Sequence, residues 1–204
     1  MVFENEFEFK GIVIGMILGD GSLGLPCKNE SINARLSISH SQKNNDYVEW
    51  KKKILEHKTS VRSDTYIGGY SNNTFSRITT KCHPLYTKLY KRIYHLGRKT
   101  TDEHCLKLLN DVGLAILYMD DGSISNSNGS VEINKNCFNY AEQLMLQKCF
   151  KLKWDLNWNI HRKGIYYRLY LKHKDVPKFF DIINKTIDLI PSMKYKTLTE
   201  HNYR

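Results

Sequence analysis

The chain carries the same kind of segment twice. An apolar run, Ile12 to Leu18 (IVIGMIL), leads into Gly19-Asp20-Gly21-Ser22, and a second, Leu114 to Met119 (LAILYM), leads into Asp120-Asp121-Gly122-Ser123. The two Asp-Gly-Ser triplets stand 101 residues apart in a chain of 204. A duplication at half the length restricts the fold to two related units that share a surface. Each is too small to bury so apolar a run by itself.

The segments downstream of each copy agree in order. After the first, Asn33 to His40 alternates Ala34, Leu36 and Ile38 against Arg35, Ser37 and Ser39, the pattern of a half-buried strand. A helix is predicted over Asp46 to Lys58 on Tyr47, Trp50, Ile54 and His57, then strands over Val61 to Ile67 and Thr74 to Lys81 about a turn at Gly68-Gly69. His83-Pro84 opens a helix with Leu85, Leu89, Ile93 and Leu96. After the second copy come a strand over Ser130 to Phe138, a helix over Tyr140 to Lys153 on Leu144, Met145, Cys149 and Leu152, and strands Leu156 to Lys163 and Ile165 to Lys172 about Gly164. Asp175 is placed as the N-cap of a last helix with Pro177 in its first turn, running through Phe180, Ile183 and Ile187. The expectation is an α+β chain of two α-β-β-α-β-β-α units, residues 1–100 and 101–204. A basic echo lies near the end of each: Lys99 comes 79 residues after Asp20, and Lys196 comes 75 after Asp121.

Gly11, Gly15 and Gly19 fall on one face of the first apolar helix. Glycine costs roughly 1 kcal/mol per helix-interior position, so the stripe points to close approach by another helix, naturally the second copy. Side by side, the two helices bring Asp20 and Asp121 together at one edge. Neighbouring carboxylates repel unless a divalent cation lies between them. Mg²⁺, with its preference for hard oxygen and its retained waters, suits such a pair and also binds phosphate. Metal-assisted phosphodiester cleavage is the chemistry suggested, with Lys99 and Lys196 beside the acids. For either copy alone, a helix stop and turn is the better explanation of Asp-Gly, and it is the duplication with basic surroundings that reverses this. An acid at a helix C-terminus is also unfavourable against the macrodipole.

Two literal matches fail on context. Gly19, Gly21 and Gly24 spell GxGxxG, but Leu25-Pro26-Cys27 comes next where a dinucleotide site needs a helix. Tyr118 to Asp121 spells the YMDD of polymerase palms, which leaves the first copy unexplained. The eight histidines form no HExxH or nucleophile pair. His40, His57 and His83 read as surface or boundary residues, and only His161 falls on a polar strand face.

The net charge is +10, from 31 Lys and Arg against 21 Asp and Glu, which points to a polyanion such as nucleic acid. The strand patterns show where it would lie. Outward positions are Arg35, Ser37 and Ser39, and Arg62, Asp64 and Tyr66; in Thr74 to Lys81 the parity stays open, since the candidates Arg77, Thr79 and Lys81 share a face with Phe75. In the second half they are Asn134; Asn157, Asn159, His161 and Lys163; and Tyr166, Arg168, Tyr170 and Lys172. Arg, Asn, Lys and His read base edges in the major groove, where a two-stranded ribbon fits. A solvated sheet face also carries Lys and Thr. Five scattered Cys form no CxxC and read as reduced thiols. No apolar stretch reaches the length of a membrane span, and the acidic N-terminus has no leader-like pattern. The expectation is an intracellular protein, in the cytoplasm or an organelle whose genome encodes it.

VIGMILGDG (Val13 to Gly21) and LAILYMDDG (Leu114 to Gly122) resemble the two motifs of single-chain LAGLIDADG homing endonucleases, over essentially the full chain. Leu189 to Lys196 also looks like a C-terminal segment found in some of these enzymes. The resemblance implies two pseudo-twofold-related αββαββα repeats, antiparallel sheets forming a DNA-binding saddle, and motif helices packed at the repeat interface. Carried over by position, Asp20 and Asp121 are the metal-binding catalytic acids and Lys99 and Lys196 the basic residues. Gly19 and Asp120 are included in the candidate metal site, Asp120 as a supporting group and not a direct ligand. The cofactor implied is Mg²⁺, with Mn²⁺ a substitute and Ca²⁺ binding without supporting cleavage. The partner implied is double-stranded DNA with a long target site, cut by a monomer to leave short 3′ overhangs, with no obligate protein partner and no membrane. A non-cleaving nucleic-acid binder of the same fold, an RNA maturase or a regulator, is the alternative. Ile116 replaces the small residue that the first motif keeps as Gly15, so asymmetric helix packing is expected. The half-charges, +7 for 1–100 and +3 for 101–204, also suggest unequal DNA contacts.

Overall fold

The computed structural model describes residues 5–26, 33–68, 73–125, 129–135 and 137–197. Cys27 and Gly69 lie outside the described residues. Helix α1 (Glu6–Leu18) starts where the Asn5 side chain accepts the Glu8 N–H at 3.0 Å. It is apolar on all sides from Gly11 to Leu18 and is buried throughout that stretch, as expected of a helix enclosed by other elements. Strands β1 (Ser22–Gly24) and β2 (Arg35–Ser41), helix α2 (Asn45–Glu56), the hairpin β3 (Val61–Gly68) and β4 (Asn73–Thr80), and helix α3 (Pro84–Ile93) come next. A small hairpin, β5 (Tyr94–His95) and β6 (Arg98–Lys99), and a short helix, α4 (Glu103–Leu108), lead to α5 (Asp111–Asp121). The second unit continues with β7 (Gly122–Ile124), β8 (Val131–Ile133), α6 (Tyr140–Trp154), β9 (Trp158–Lys163), β10 (Tyr166–Leu171) and α7 (Val176–Ile187). A 3₁₀ segment at Pro191–Lys196 completes it.

The two sheets have the same antiparallel order, β1-β2-β4-β3 and β7-β8-β10-β9. Both arise from strand alternation. Leu36 and Ile38 of β2, Ile78 of β4, Val131 and Ile133 of β8 and Leu169 and Leu171 of β10 point into one apolar core. The fold is therefore the two-repeat α+β architecture expected, with β5, β6 and α4 as additions.

The motif helices cross at glycines. A Cβ on Gly15 would lie 2.3 Å from the Gly113 carbonyl oxygen, and one on Gly113 would lie 2.4 Å from that of Gly11. The second helix thus contributes Gly113, three residues before Ile116, and the crossing sets two glycines of α1 against one of α5. Asn110 secures both helix starts, accepting the Gly113 N–H at 2.9 Å and donating to the Glu8 carbonyl at 3.0 Å.

Several local expectations shift. Leu96 does not extend α3. It is exposed, with φ of 48°, in the turn between β5 and β6. Among the described residues of the strand expected over Ser130–Phe138, the strand runs from Val131 to Ile133, and the strand expected from Leu156 begins at Trp158. The buried face of α2 is Tyr47, Val48, Lys51, Ile54 and Leu55, one step round from the Trp50 and His57 face. In α6 the inward residues are Gln143, Leu146, Cys149, Phe150 and Trp154, leaving Leu144 and Leu152 exposed. In both helices polar residues sit on the inner face, so apolar spacing misplaces it. Asp175 precedes α7 but makes no side-chain cap. Its carboxylate instead accepts the backbone and side-chain N–H groups of Asn157, both at 2.7 Å.

Candidate active site and nucleic-acid interface

Asp20 and Asp121 stand where α1 and α5 end, each beside its own lysine. The Lys99 ammonium donates to the carbonyls of Gly19 (3.0 Å) and Gly21 (2.8 Å). The Lys196 ammonium donates to those of Met119 and Gly122, the latter at 3.0 Å. Both cations sit against the negative end of a motif helix, a favourable place for them. Burial pulls each below the ordinary lysine range.

Each lysine-bearing segment is held by the opposite repeat. Arg98, next to Lys99, donates to the Glu142 carboxylate of α6 and to the Cys137 carbonyl at 2.9 Å. Asp46 in the first turn of α2 accepts the Ser192 N–H at 2.9 Å, ahead of Lys196. From its own repeat, the Lys196 segment is also held by the Tyr118 hydroxyl, which donates to the Lys196 carbonyl at 2.8 Å.

The surroundings of the acids are unequal. The Asp20 side chain is 42% exposed. Partial burial, then the nearby Asp120 and Asp121 charges, push its carboxyl up to about 6. Asp121 is ion-paired with Lys135, yet burial still raises its carboxyl. The sheet registers align Asp20 with Asp121 and Ser37 with Glu132, so His40 of β2 and Lys135 beyond β8 occupy matching places, each beside one acid. His40 is not a surface residue as expected. It continues the inward row of β2 and is 8% exposed. Burial, then the Lys51 charge, push it down to about 3, so it is neutral near pH 7. Lys51 donates to its Nε2 at 2.9 Å, which leaves the ring proton on Nδ1, 3.5 Å from an Asp20 oxygen.

Asp120 reaches across the interface into this corner. Its buried carboxylate accepts the Asp20 N–H at 2.9 Å, the Lys51 ammonium at 2.8 and 3.1 Å, and the Tyr47 hydroxyl at 2.8 Å. Burial is the largest single influence and opposes its charge, but the Lys51 ammonium, His40 and the hydrogen bonds from Lys51 and the Asp20 N–H together hold the carboxyl below its usual range. Lys51 also lies 4.0 Å over the Tyr47 ring. A Cβ on Gly19 would come within 2.1 Å of an Asp120 oxygen, so only glycine leaves room for it.

Among the described residues, one group of three that could hold a cation falls in this corner. Single ligand atoms of Asp20, His40 and Asp120 lie within 4.8 Å of one another. Asp120 is already committed to Lys51, Tyr47 and the Asp20 N–H, which leaves the exposed Asp20 carboxylate as the open oxygen donor. Its carboxyl is raised by burial first and by the Asp120 and Asp121 charges second, and a divalent cation would offset the second of these. His40, Tyr47, Lys51 and Lys135 were not selected from sequence. A lysine four residues after Tyr47 on an inward helix face was the available signal.

The outward sheet positions lie as expected. In the first sheet, Arg35, Ser37 and Ser39 alternate with buried Leu36, Ile38 and His40, while Arg77 and Thr79 alternate with buried Ser76, Ile78 and Thr80. Arg62, Asp64 and Tyr66 pair with Thr79, Arg77 and Phe75, and Lys81 is exposed just past β4. A groove of about 530 Å³ is lined by Arg35, Ser37, Arg62 and Arg77 together with Asp20. In the second sheet, Asn159, His161 and Lys163 pair with Tyr170, Arg168 and Tyr166, and Lys172 is exposed just past β10. Asn134 donates to the Ser123 hydroxyl at 3.4 Å. Asn157 is the exception, since its amide is committed to Asp175. Ile165, at the start of the strand expected over Ile165 to Lys172, is exposed.

Residues 10–179 match the model of the LAGLIDADG DNA endonuclease family. Over 117 residues the chain is 36% identical to a RecA protein of Mycobacterium gastri, a match covering 56% of this chain and 26% of that protein. The chain therefore spans about a quarter of the length of that relative. Over 198 residues it is 25% identical to a probable intron-encoded endonuclease of Wickerhamomyces canadensis, covering 91% of this chain and 82% of the other. Among solved structures, the homing endonuclease I-WcaI bound to its DNA recognition sequence superposes with a TM-score of 0.81 at 22% identity, covering 96% and 88% of the two chains. The N-terminal LAGLIDADG domain of WhiA superposes with a TM-score of 0.56 at 15% identity, covering 90% and 86%. Among the described residues no helix is long and apolar enough to cross a membrane.

Proposed function

The chain belongs to the LAGLIDADG DNA endonuclease family, and we propose that it is a sequence-specific, divalent-metal-dependent double-strand DNA endonuclease acting as a monomer of two repeats, 1–100 and 101–204. The observation that carries this reading is the pair of acids, Asp20 and Asp121, at the ends of crossed motif helices, each with a lysine on the adjoining carbonyls. A pure binder needs neither acid nor lysine at that point.

In this reading the outward sheet residues hold a long duplex across both repeats and present one phosphodiester of each strand to the acids. Asp20 and Asp121 would hold Mg²⁺, which would supply charge stabilisation for the phosphate and leaving oxygen and a more acidic water. Lys99 and Lys196 offset phosphate charge from the helix ends. His40, neutral and with its Nδ1 proton toward Asp20, orients that carboxylate. Asp120 steadies Asp20 through its backbone N–H.

The second reading is a non-cleaving nucleic-acid binder, an RNA maturase or a regulator. It is favoured by one observation, the ion pair that occupies Asp121 with Lys135. Cleavage of a plasmid library of randomised targets with Mg²⁺, followed by sequencing of the ends, tests the choice. Defined double-strand ends with short 3′ overhangs are expected. Binding with no cleavage in Mg²⁺ or Mn²⁺ would establish the second reading.

A further inference from the structure

The registers that align the two sheets make a residue-by-residue comparison possible. Ile38 pairs with Ile78 in the first, and its counterpart Ile133 pairs with Leu169 in the second. Arg77 and Arg168 therefore occupy matching places, one residue before these on β4 and β10. Most other outward places differ between repeats: Thr79 matches Tyr170, Asp64 matches His161, Arg62 matches Asn159, and Tyr66 matches Lys163. Besides the arginines, Lys81 and Lys172 match, exposed just past the strand ends. A lysine is a point charge suited to phosphate, whereas an arginine fork suits the paired acceptors of guanine.

Arg77 is prepared for such a contact. Its Nε donates to Asp64 Oδ1 at 2.9 Å and its Nη2 to Asp64 Oδ2, so the carboxylate takes one edge of the guanidinium. The Nη1–Nη2 end is left unengaged by Asp64. The guanidinium lies 5.0 Å over the Tyr66 ring, which stacks on Phe75 at 5.4 Å. The Tyr66 hydroxyl is bonded to Ser39 at 2.9 Å, fixing the platform to β2. With 43% of its side chain exposed, Arg77 lines the same groove as Asp20. Arg168 is less open, at 24% exposed, and is held by a longer 3.4 Å bond to Glu132.

Resting on the DNA-cleaving reading above, we propose that Arg77 and Arg168 are specificity-determining residues that each read a guanine, through O6 and N7, at dyad-related positions of the target. The half-sites then share one palindromic G·C pair while differing at most neighbouring positions. Arg77, held along one edge by Asp64 and on one face by Tyr66, and more open, discriminates more sharply than Arg168.

Selection from a randomised duplex pool by gel shift, with the full chain and sequencing of the bound DNA, tests this. Guanine is expected at two positions equidistant from the centre, on opposite strands, preferred by roughly 10- to 100-fold over other bases. Arg77→Ala should erase the preference at one of them and leave the other. Asp64→Ala, which keeps the arginine but frees it, should relax the same position. Arg168→Ala should act only on the second position. Enrichment without dyad-related guanines overturns this assignment alone. So does an Arg77→Ala pool that keeps its base preferences while binding weakens evenly, the behaviour of a phosphate contact. A pool with no enrichment anywhere overturns the assignment and the DNA reading beneath it together.

Discussion

The Asp120 carboxylate, carried by the second repeat, accepts the backbone N–H of Asp20, which ends the motif helix of the first, at 2.9 Å. One acid is thus placed by its neighbour's companion across the interface. Lys51, whose side chain like that of Asp120 is 0% exposed, balances the charge. Breaking one side of a buried ion pair leaves the other uncompensated, at a cost of about 3–5 kcal/mol. Lys51→Met should lower urea-unfolding stability by that order. Adding Asp120→Asn should recover much of the loss, because the pair is then removed as a unit. A double variant no more stable than Lys51→Met would show that the pair is not coupled.

Gly19→Ala should be costly because the new methyl meets an Asp120 oxygen at 2.1 Å. A loss of about 1–3 kcal/mol is expected, the range for overpacking. In an Asp120→Ala background the same substitution should cost less. Thermal unfolding of the four proteins measures the difference, and equal costs in both backgrounds would locate the strain elsewhere.

The Asp20 carboxyl, raised to about 6, has a pH consequence of definite sign. Its folded-state value lies above the unfolded one, so the ionised group opposes folding above pH 6 and the opposition fades as pH falls toward 4. Asp20→Asn should therefore stabilise the chain more at pH 8 than at pH 4. At a carboxylate 42% exposed, solvent screening reduces the gain to the order of 1 kcal/mol or less. Affinity for Mn²⁺, measured by its EPR signal, should weaken below pH 6 as protons compete for this oxygen donor. A pH-independent affinity would remove Asp20 from the metal site.

Arg98 and Glu142 join the Lys99 hairpin to the opposite repeat. Arg98→Ala should slow cleavage about 10-fold through a misplaced Lys99, while DNA affinity falls by less. The charge reversal Arg98→Glu with Glu142→Arg should restore part of the rate. Rates unchanged by Arg98→Ala would mean that Lys99 is positioned without this bond.

Much of this architecture was legible because it rests on repetition and period. The two motif copies, the strands that carry Arg35 and Arg168, and the lysines at matching distances from Asp20 and Asp121 are all local or periodic signals. The corner of His40, Tyr47, Lys51 and Lys135 was not legible in the same way. It depends on which polar residues a tertiary fold turns inward, and Lys51 on an inner helix face violates the apolar pattern by which such faces are found. Asp120 could be noticed beside Asp121 but not assigned, since its partners come from α2, far away in sequence. Asn157 looked like an outward reader, and only the position of Asp175 shows that its amide is committed within the fold.

The most direct measurement is cleavage of the selected target, with both 5′ ends labelled, by the wild-type chain and by Asp20→Asn and Asp121→Asn in Mg²⁺, alongside gel-shift affinities. Wild-type protein should cut both strands. Each variant should lose double-strand cleavage by at least about 100-fold, near 3 kcal/mol of transition-state stabilisation, with binding largely kept. Full cleavage by both variants would contradict the assignment of the two acids as the catalytic, metal-holding pair.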